Sequence, residues 1–451
     1  TSGSAIGIAF GNDCGTDGKY GKVLNCYIHD IVDTVGYETA SNQAFAVNFT
    51  ISSNNEVAYN TFKNVSKKFI GAGEGGSCPS GSFPPTSYIS VHHNVMEDDA
   101  TFTGSPMDHG VAMAGNNHSI HDNLVWSERP TTVEPAFAIK VDGTATAGTN
   151  NNNKIYNNLV LGWSSGMAII DVPGAGSNEI TNNTIYLKNM DTYDGSGSGA
   201  AINGITLGGS TSVSGNKIRN NIIYGVHPND TTGASTGMFI CAASASCANN
   251  VVTNNLFYHD TASVDYRIGS NYRALAQMET SGVWNGLSGN VAQGNVVAEP
   301  GFVGGAHPVG NLPTGLDSSW HPNADGLNIT SGSKAKNAGY GLGSPLNVDI
   351  KNIARPQESA WDIGAYEYAG SAPTPTCSDN IQNQNETGID CGGVCPACAV
   401  VPPPTPATFN LSNFISLVQN WLGLGNSTSD VNNDGIVNTR DLGIMMSNWV
   451  N

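Results

Sequence analysis

KIYNNLV (154–160) alternates apolar and polar residues, turns on a pair of Asn and starts to alternate again. The same phrase returns as EVAYNTF (56–62), SVHHNVM (90–96), SIHDNLV (119–125), EITNNTI (179–185), KIRNNII (217–223) and VVTNNLF (251–257). An earlier copy, KVLNCYI (22–28), has Cys26 in place of the Asn, and a later one, NVAQGNVV (290–297), ends the series. The shared Asn falls at 60, 94, 123, 158, 183, 221, 255 and 295, in steps of 25 to 40 residues. A unit this short cannot bury its own apolar face, so neighbouring units must stack.

Period-two alternation is a strand signature. A second alternating stretch often precedes the phrase, as in FAVNF (45–49), VAM (111–113), FAIKV (137–141), AIIDV (168–172), ITL (205–207) and MFI (238–240). Gly, Ser and Asn separate the strands, and no stretch before residue 408 has a helical period. Short strands, one coil per repeat and no crossover helices predict a mainly β fold, a right-handed parallel β-helix (solenoid). At about 4.8 Å per coil the phrases make a rod roughly 40 Å long. The repeated Asn is expected to adopt left-handed backbone at the bend and to bond along the stack as an amide ladder.

The domain reading is a β-helix over 1–305, its closing segment over 306–370, and Pro-rich linkers at 371–376 and 399–408. A Cys-rich module at 377–398 separates the linkers, and a calcium-binding module follows at 409–451. Long insertions at 66–86, 98–109, 186–199 and 226–236 leave the coils as loops. SAIGIAF (4–10) alternates like a core strand with nothing before it. Thr1 therefore reads as a processed or trimmed end, or as one that another molecule covers by end-to-end stacking.

The formal charge is −18, with 18 Lys and Arg against 36 Asp and Glu, and there are no basic runs. Nucleic acid is therefore not an expected partner. No apolar run is long enough to span a membrane. Nine cysteines point to an oxidising, extracellular or cell-surface setting. Cys241 and Cys247 bracket a short loop and are candidates to pair, as are Cys14 and Cys26, while Cys78 is left over. Sequons stand at Asn48, Asn64, Asn117, Asn182, Asn229, Asn328, Asn385, Asn410 and Asn426. Either several carry glycans, or a chain rich in Asn, Ser and Thr has made them by chance.

In the Cys-rich segment, Cys377, Cys391, Cys395 and Cys398 read as disulfides, because their spacing fits zinc poorly and so short a segment needs cross-links. DVNNDGIVNTRD (430–441) places oxygen donors Asp430, Asn432, Asp434, Asn438 and Asp441 at loop positions 1, 3, 5, 9 and 12. Gly435 stands at the sharp turn and Ile436 offers its carbonyl, so the loop predicts bound Ca²⁺. FNLSNFISLVQNWL (409–422) matches VNTRDLGIMMSNWV (437–450) at an offset of 28, pairing Asn410 with Asn438 and Trp421 with Trp449.

Three resemblances follow from these residues. NVVAEPGF (295–302), DIKNIARP (349–356) and DIGAYEY (362–368) look like the closing segment of secreted β-helix proteins. The Cys-rich segment is similar to small modules of microbial surface proteins. The duplicated tail, with Asp at loop position 12, resembles a dockerin that has lost its first ligand loop. That implies one calcium, two packed Trp-bearing halves, and docking to a cohesin-like protein or a neighbouring subunit.

β-Helix proteins include polysaccharide lyases and hydrolases, whose chemistry needs a Lys or Arg base or a carboxylate pair. The outward column of the second strand reads Asn48, Ala112, Lys140, Asp171, Thr206, Cys241. Lys140 and Asp171, with Asp142 close by, are the catalytic candidates, and a surface ion pair is the plainer alternative. Glu97, Asp98, Asp99, Asp108 and His109 form an acidic stretch with one His. The polar column of the repeated strand reads Ala58, His92, His121, Tyr156, Thr181, Arg219, Thr253, in which His92, His121 and Tyr156 stack. That column would meet a sugar ring or a metal, or serve as plain stacked surface. The expectation is an extracellular scaffold that assembles with itself or docks to a partner; the alternative is a secreted lyase or hydrolase acting on a polysaccharide.

Overall fold

The computed structural model describes residues 5–11, 18–32, 44–72, 86–98, 109–127, 137–142, 150–163, 165–170, 175–188, 203–208, 213–226, 236–241, 247–259, 264–268, 271–304, 324–370, 409–421, 428–431 and 436–449. The Cys-rich module, both Pro-rich linkers, Cys14, Cys78, Asp99, Asp108, Asp171, Asn229, Asn385, Asn426, Asn432 and Asp434 lie outside them. The chain divides into two units, Thr1–Gly370 and Ser371–Asn451.

The first unit is a solenoid of stacked parallel sheets. Sheet 1 has ten strands and sheets 2 and 3 have nine each, and every coil visits them in that order. The one antiparallel pairing in sheet 1 joins Val264–Ile268 to Asn271–Ala274 at its far end. Sheet 2 is built of three-residue strands such as Lys154–Tyr156. Their middle residues (Val57, Val91, Ile120, Ile155, Ile180, Ile218 and Val252) form one buried column, while the flanking residues point outward. Sheet 1 adds Val47, Ile70, Val111, Ile139, Met167, Ile205 and Phe239 from its own register, and together they fill the interior. Truncating one such residue to Ala removes about 2–5 kcal/mol.

Two residues turn the chain from sheet 2 to sheet 3. The first is left-handed in every coil: Asn25, Tyr59, His93, Asp122, Asn157, Asn182, Asn220, Asn254 and Gly294 all have φ between 51° and 68°. The second is the ladder Asn. The bend therefore strains the residue before the ladder, and the expected left-handed ladder Asn is corrected. In the ladder, Nδ2 of Asn60, Asn94, Asn123, Asn158, Asn183, Asn221 and Asn255 each donates to Oδ1 of the next, at 2.9–3.0 Å. The same Oδ1 accepts the main-chain N–H of the Asn before it, and Nδ2 also bonds a carbonyl one coil back, as Asn158 does to Ile120. At the first coil, Cys26 N–H fills the ladder position by donating to Asn60 Oδ1 at 2.9 Å.

A second ladder runs five residues earlier, just before sheet 2. His118 N–H donates to Asn153 Oδ1, Asn153 N–H to Asn178, Asn178 N–H to Asn216, Asn216 N–H to Asn250, and Asn250 N–H to Asn290, at 2.8–3.0 Å. His118 takes an Asn place in it. Its Nδ1 accepts from Ile89 N–H and its Nε2–H donates to the Ala114 carbonyl, and complete burial lowers its pKa to about 4.

The closing segment packs on the outer face of sheet 3. Leu327, Ile329, Ile350, Ile363 and Tyr366 join Leu159, Leu161, Tyr186, Ile222, Tyr224 and Leu256 in a second core. Gly364 (φ 106°) approaches so closely that a Cβ there would meet Ile222 and Thr184. The segment is fixed from within by charge: Arg355 is buried against Glu367 at 3.1 Å, and Asp349, Asp362 and Glu367 accept main-chain N–H groups. Burial pushes these three carboxyls up, and Arg355 beside them opposes that shift.

The described residues of the second unit include two helices, α1 (Leu411–Gln419) and α2 (Thr439–Ser447). Asn410 and Asn438 cap them, each in a capping box closed by the residue three positions on, Asn413 or Asp441. The duplication at an offset of 28 thus repeats one local geometry. Phe409, Leu417, Val437 and Met445 form the core between the halves. Trp449 packs edge-on against Phe414, whereas Trp421 is exposed.

Candidate functional site

The outward residues of sheet 2 and the left-handed turns beside it carry the densest chemistry among the described residues. The registered column Glu56–Ser90–Ser119 lies beside Ala58–His92–His121–Tyr156. The rings of His92 and His121 stack at 4.9 Å and 6°, and those of His121 and Tyr156 at 4.6 Å and 3°. The expected stack is present. Its consequence differs from a sugar-stacking platform: both faces of His121 are covered by its neighbours, so neither is open to a sugar ring.

The adjacent turns add Tyr59, His93 and Asp122. All three hold left-handed backbone, which is costly for a ring-bearing residue such as Tyr59 (φ 59°). His92 Nε2 lies 3.1 Å from Glu56 Oε1, and its Nδ1 lies 3.0 Å from His93 Nδ1. Lys22 in turn pairs with Glu56 at 2.6 Å. His121 Nδ1 lies 2.6 Å from Asp122 Oδ2, while Asp122 Oδ1 is buried without a hydrogen-bond partner. Burial, then the charge of His121, holds His92 below the ordinary imidazole range. Burial raises the Tyr156 hydroxyl to about 12, so it is a proton donor at neutral pH. The Lys22 hydrogen bond leads the causes that hold Glu56 below the ordinary carboxyl range.

The closing segment sets one boundary of this patch. Asn254 Nδ2 donates to the Ala338 carbonyl, Asn220 to Tyr340, Asn182 to Asp362 and Gly364, and Asn157 to Val348. Four successive left-handed Asn therefore hold the segment. The next turns along the stack carry Asp122, His93 and Tyr59 instead. Leu346 and Trp361 pack against Tyr156 at the junction.

The other candidates are placed differently. Lys140 is registered between Ala112 and Ala168, which corrects the expected alignment with Asp171; Asp171 itself lies outside the described residues. The strand is Ser165–Ile170, three residues earlier than the alternation of AIIDV suggests, because Met167 takes the core place between Ile139 and Ile205. Lys140 Nζ instead lies 3.3 Å from His109 Nε2. Asp142 falls in the same strand as Lys140, opposite Ile170. Thr206 is registered with Ile240, not with Cys241, and Cys241 is buried and bonded to Cys247. Cys26 is a free thiol, which corrects its pairing with Cys14. Glu97 pairs with Lys63 at 3.4 Å, and Asp98 is buried.

Among the sequons, Asn182 is fully buried and bonded to the closing segment, and Asn48 is buried in sheet 1; neither amide is open to a glycan. Asn64, Asn117 and Asn328 are part-exposed, and Asn410 is exposed as the cap of α1.

In the tail, Asp441 is fully buried and Asp430 nearly so. Asp441 Oδ1 accepts from Val431 N–H at 2.7 Å and Oδ2 from Asn438 N–H at 2.8 Å, and the Ile436 carbonyl accepts from Asn438 Nδ2 at 3.0 Å. Two buried carboxylates thus bracket the loop, and the one basic residue of 409–451, Arg440, is exposed. No described helix is long and apolar enough to cross a membrane. Compared with known proteins, the chain matches no family model and no curated sequence.

Proposed function

We propose that the protein is an extracellular or cell-surface scaffold, a stiff β-solenoid attached to its surroundings through a calcium-binding, dockerin-like tail. The single observation behind this reading is the pair of buried carboxylates, Asp430 and Asp441, at the two ends of an oxygen-rich loop. A cluster of oxygen donors suits a hard cation. Asp430, Asn432, Asp434, Ile436, Asn438 and Asp441 would hold calcium, which would tie the loop to the start of α2 and keep the two halves packed. The partner of such a module is a cohesin-like protein or a neighbouring copy. The disulfide Cys241–Cys247 supports an oxidising setting.

Light scattering and electron microscopy of the full chain, with calcium and then with chelator, test this reading. Calcium-dependent assembly, or calcium-dependent capture of a cohesin-like partner, is expected. A protein that stays monomeric and dispersed and captures no such partner overturns it.

A second reading, a polysaccharide lyase or hydrolase with the same tail, draws on the half-buried acid–base groups Glu56, His92, His121 and Asp122 and the buried Tyr156. Turnover on a panel of uronate polymers, abolished by His121→Asn, would favour it over the scaffold.

A further inference from the structure

We infer that His93, His121 and Asp122 form a binding site for a divalent transition metal of the zinc class, separate from the calcium loop of the tail. One ligand atom from each residue lies within 4.8 Å of the other two. A tetrahedral zinc ion with ligands at about 2.0–2.1 Å needs them somewhat closer, a closure within reach of side-chain torsions. Two imidazoles and one carboxylate suit a borderline first-row ion, whereas calcium prefers oxygen alone. Three protein donors leave at least one position for water.

The hydrogen bonds around the site prepare the donors. With His92 Nε2–H donating to Glu56, His92 Nδ1 accepts from His93 Nδ1–H. That fixes the His93 tautomer with Nε2 as an acceptor atom, the form a metal ligand requires. A ligating His backed by a carboxylate is the usual outer-shell arrangement, and here His92 stands between the two. On the other side, Asp122 Oδ1 is buried with no hydrogen-bond partner, an anionic oxygen for which a cation would compensate.

The backbone supports the same conclusion. His93 and Asp122 occupy the left-handed turn position that holds Asn in five other coils and Gly in one. Asn fits that backbone more readily, and in four of those five coils it anchors the closing segment. The two turns next beyond that segment's last anchor at Asn157 carry a His and an Asp. The charge of Asp122 bears on the Arg355 guanidinium, which is engaged with Glu367 and with carbonyls of the closing segment.

The test uses the full chain, stripped with chelator and then resupplied with excess calcium to occupy oxygen-only sites. Co²⁺ is titrated as the probe, by calorimetry and visible absorption. One equivalent is expected to bind, with a d–d band and no thiolate charge-transfer band. His93→Asn and Asp122→Asn place at each turn the residue that neighbouring coils already use, so the fold is retained, as near-ultraviolet circular dichroism will verify. Each is expected to weaken Co²⁺ binding by about 100-fold or more, and Glu56→Gln by about 10-fold. Failure of the folded wild-type chain to bind Co²⁺ in the presence of calcium, or equal binding by the two Asn variants, overturns the site.

Discussion

Glu279 stands where a ninth ladder Asn would, and its Oε1 accepts both the Asn295 main-chain N–H (2.6 Å) and Asn295 Nδ2 (3.2 Å). A carboxylate oxygen thus reproduces the two contacts that each Oδ1 makes inside the ladder, and the stack ends on a satisfied amide. Glu279→Ala is expected to destabilise the last coil by about 1 kcal/mol, since the site is exposed and water replaces part of the loss. Glu279→Gln, which keeps an acceptor, should cost less. Hydrogen exchange of the peptide spanning 290–297 reads the difference.

Inside the ladder the cost is larger. Asn158 Nδ2 reaches the Ile120 and Tyr156 carbonyls and Asn183 Oδ1, and its Oδ1 accepts from Asn123, all within buried or nearly buried surroundings. Asn158→Leu is expected to cost on the order of 3–5 kcal/mol, from two or three buried groups left unpaired at about 1–3 kcal/mol each. Asn158→Asp should be no milder, because it removes the donors and adds charge. Urea denaturation at fixed calcium measures both.

His118 makes the rod sensitive to mild acid. Its folded-state pKa of about 4 lies below its ordinary 6.5, so the unfolded chain takes up the proton first as pH falls. Its stabilising contribution is complete above about pH 6.5 and is lost progressively down to about pH 4, a loss of at most about 3 kcal/mol. His118→Asn substitutes the residue used by Asn153 and Asn178 in the same ladder and should flatten stability across that window. A steep profile that survives the substitution would assign the sensitivity elsewhere.

Asp441 has two tasks that can be separated. As the closing member of the α2 capping box it should contribute about 1 kcal/mol without any metal. As a proposed calcium ligand it should carry most of the calcium-induced rise in the melting of the second unit. Scanning calorimetry of Asp441→Ala with and without calcium should therefore show a small loss in chelator and a near-total loss of the calcium increment.

Much of the fold could be read from the chain because its strongest signal is periodic. Each coil must repeat the same inward apolar residue and the same amide, so KIYNNLV and its copies reveal both. The second ladder was equally visible, as Asn at a spacing of five in Asn55/Asn60, Asn153/Asn158, Asn178/Asn183 and Asn216/Asn221, but His118 and Ile89 interrupt it. The ring column was legible because strand residues keep register. Lys140 and Asp171 were misaligned because a charged residue was used to set register where the buried Met167 sets it. His93 and Asp122 were missed because they belong to the turn. The available signal was substitution within a class: a place filled by Asn in five coils holds Tyr59, His93 and Asp122 in three successive ones.

The closing segment also acts as a ruler. Its bonds to Asn157, Asn182, Asn220 and Asn254 measure out four consecutive coils, so inserting or deleting a coil within that span would put every anchor out of phase. The coils on the other side of Asn157 are under no such gauge. Their ladders and sheets accept any whole number of rungs. The rod can lengthen or shorten at that end by complete coils while its clasped end stays constant.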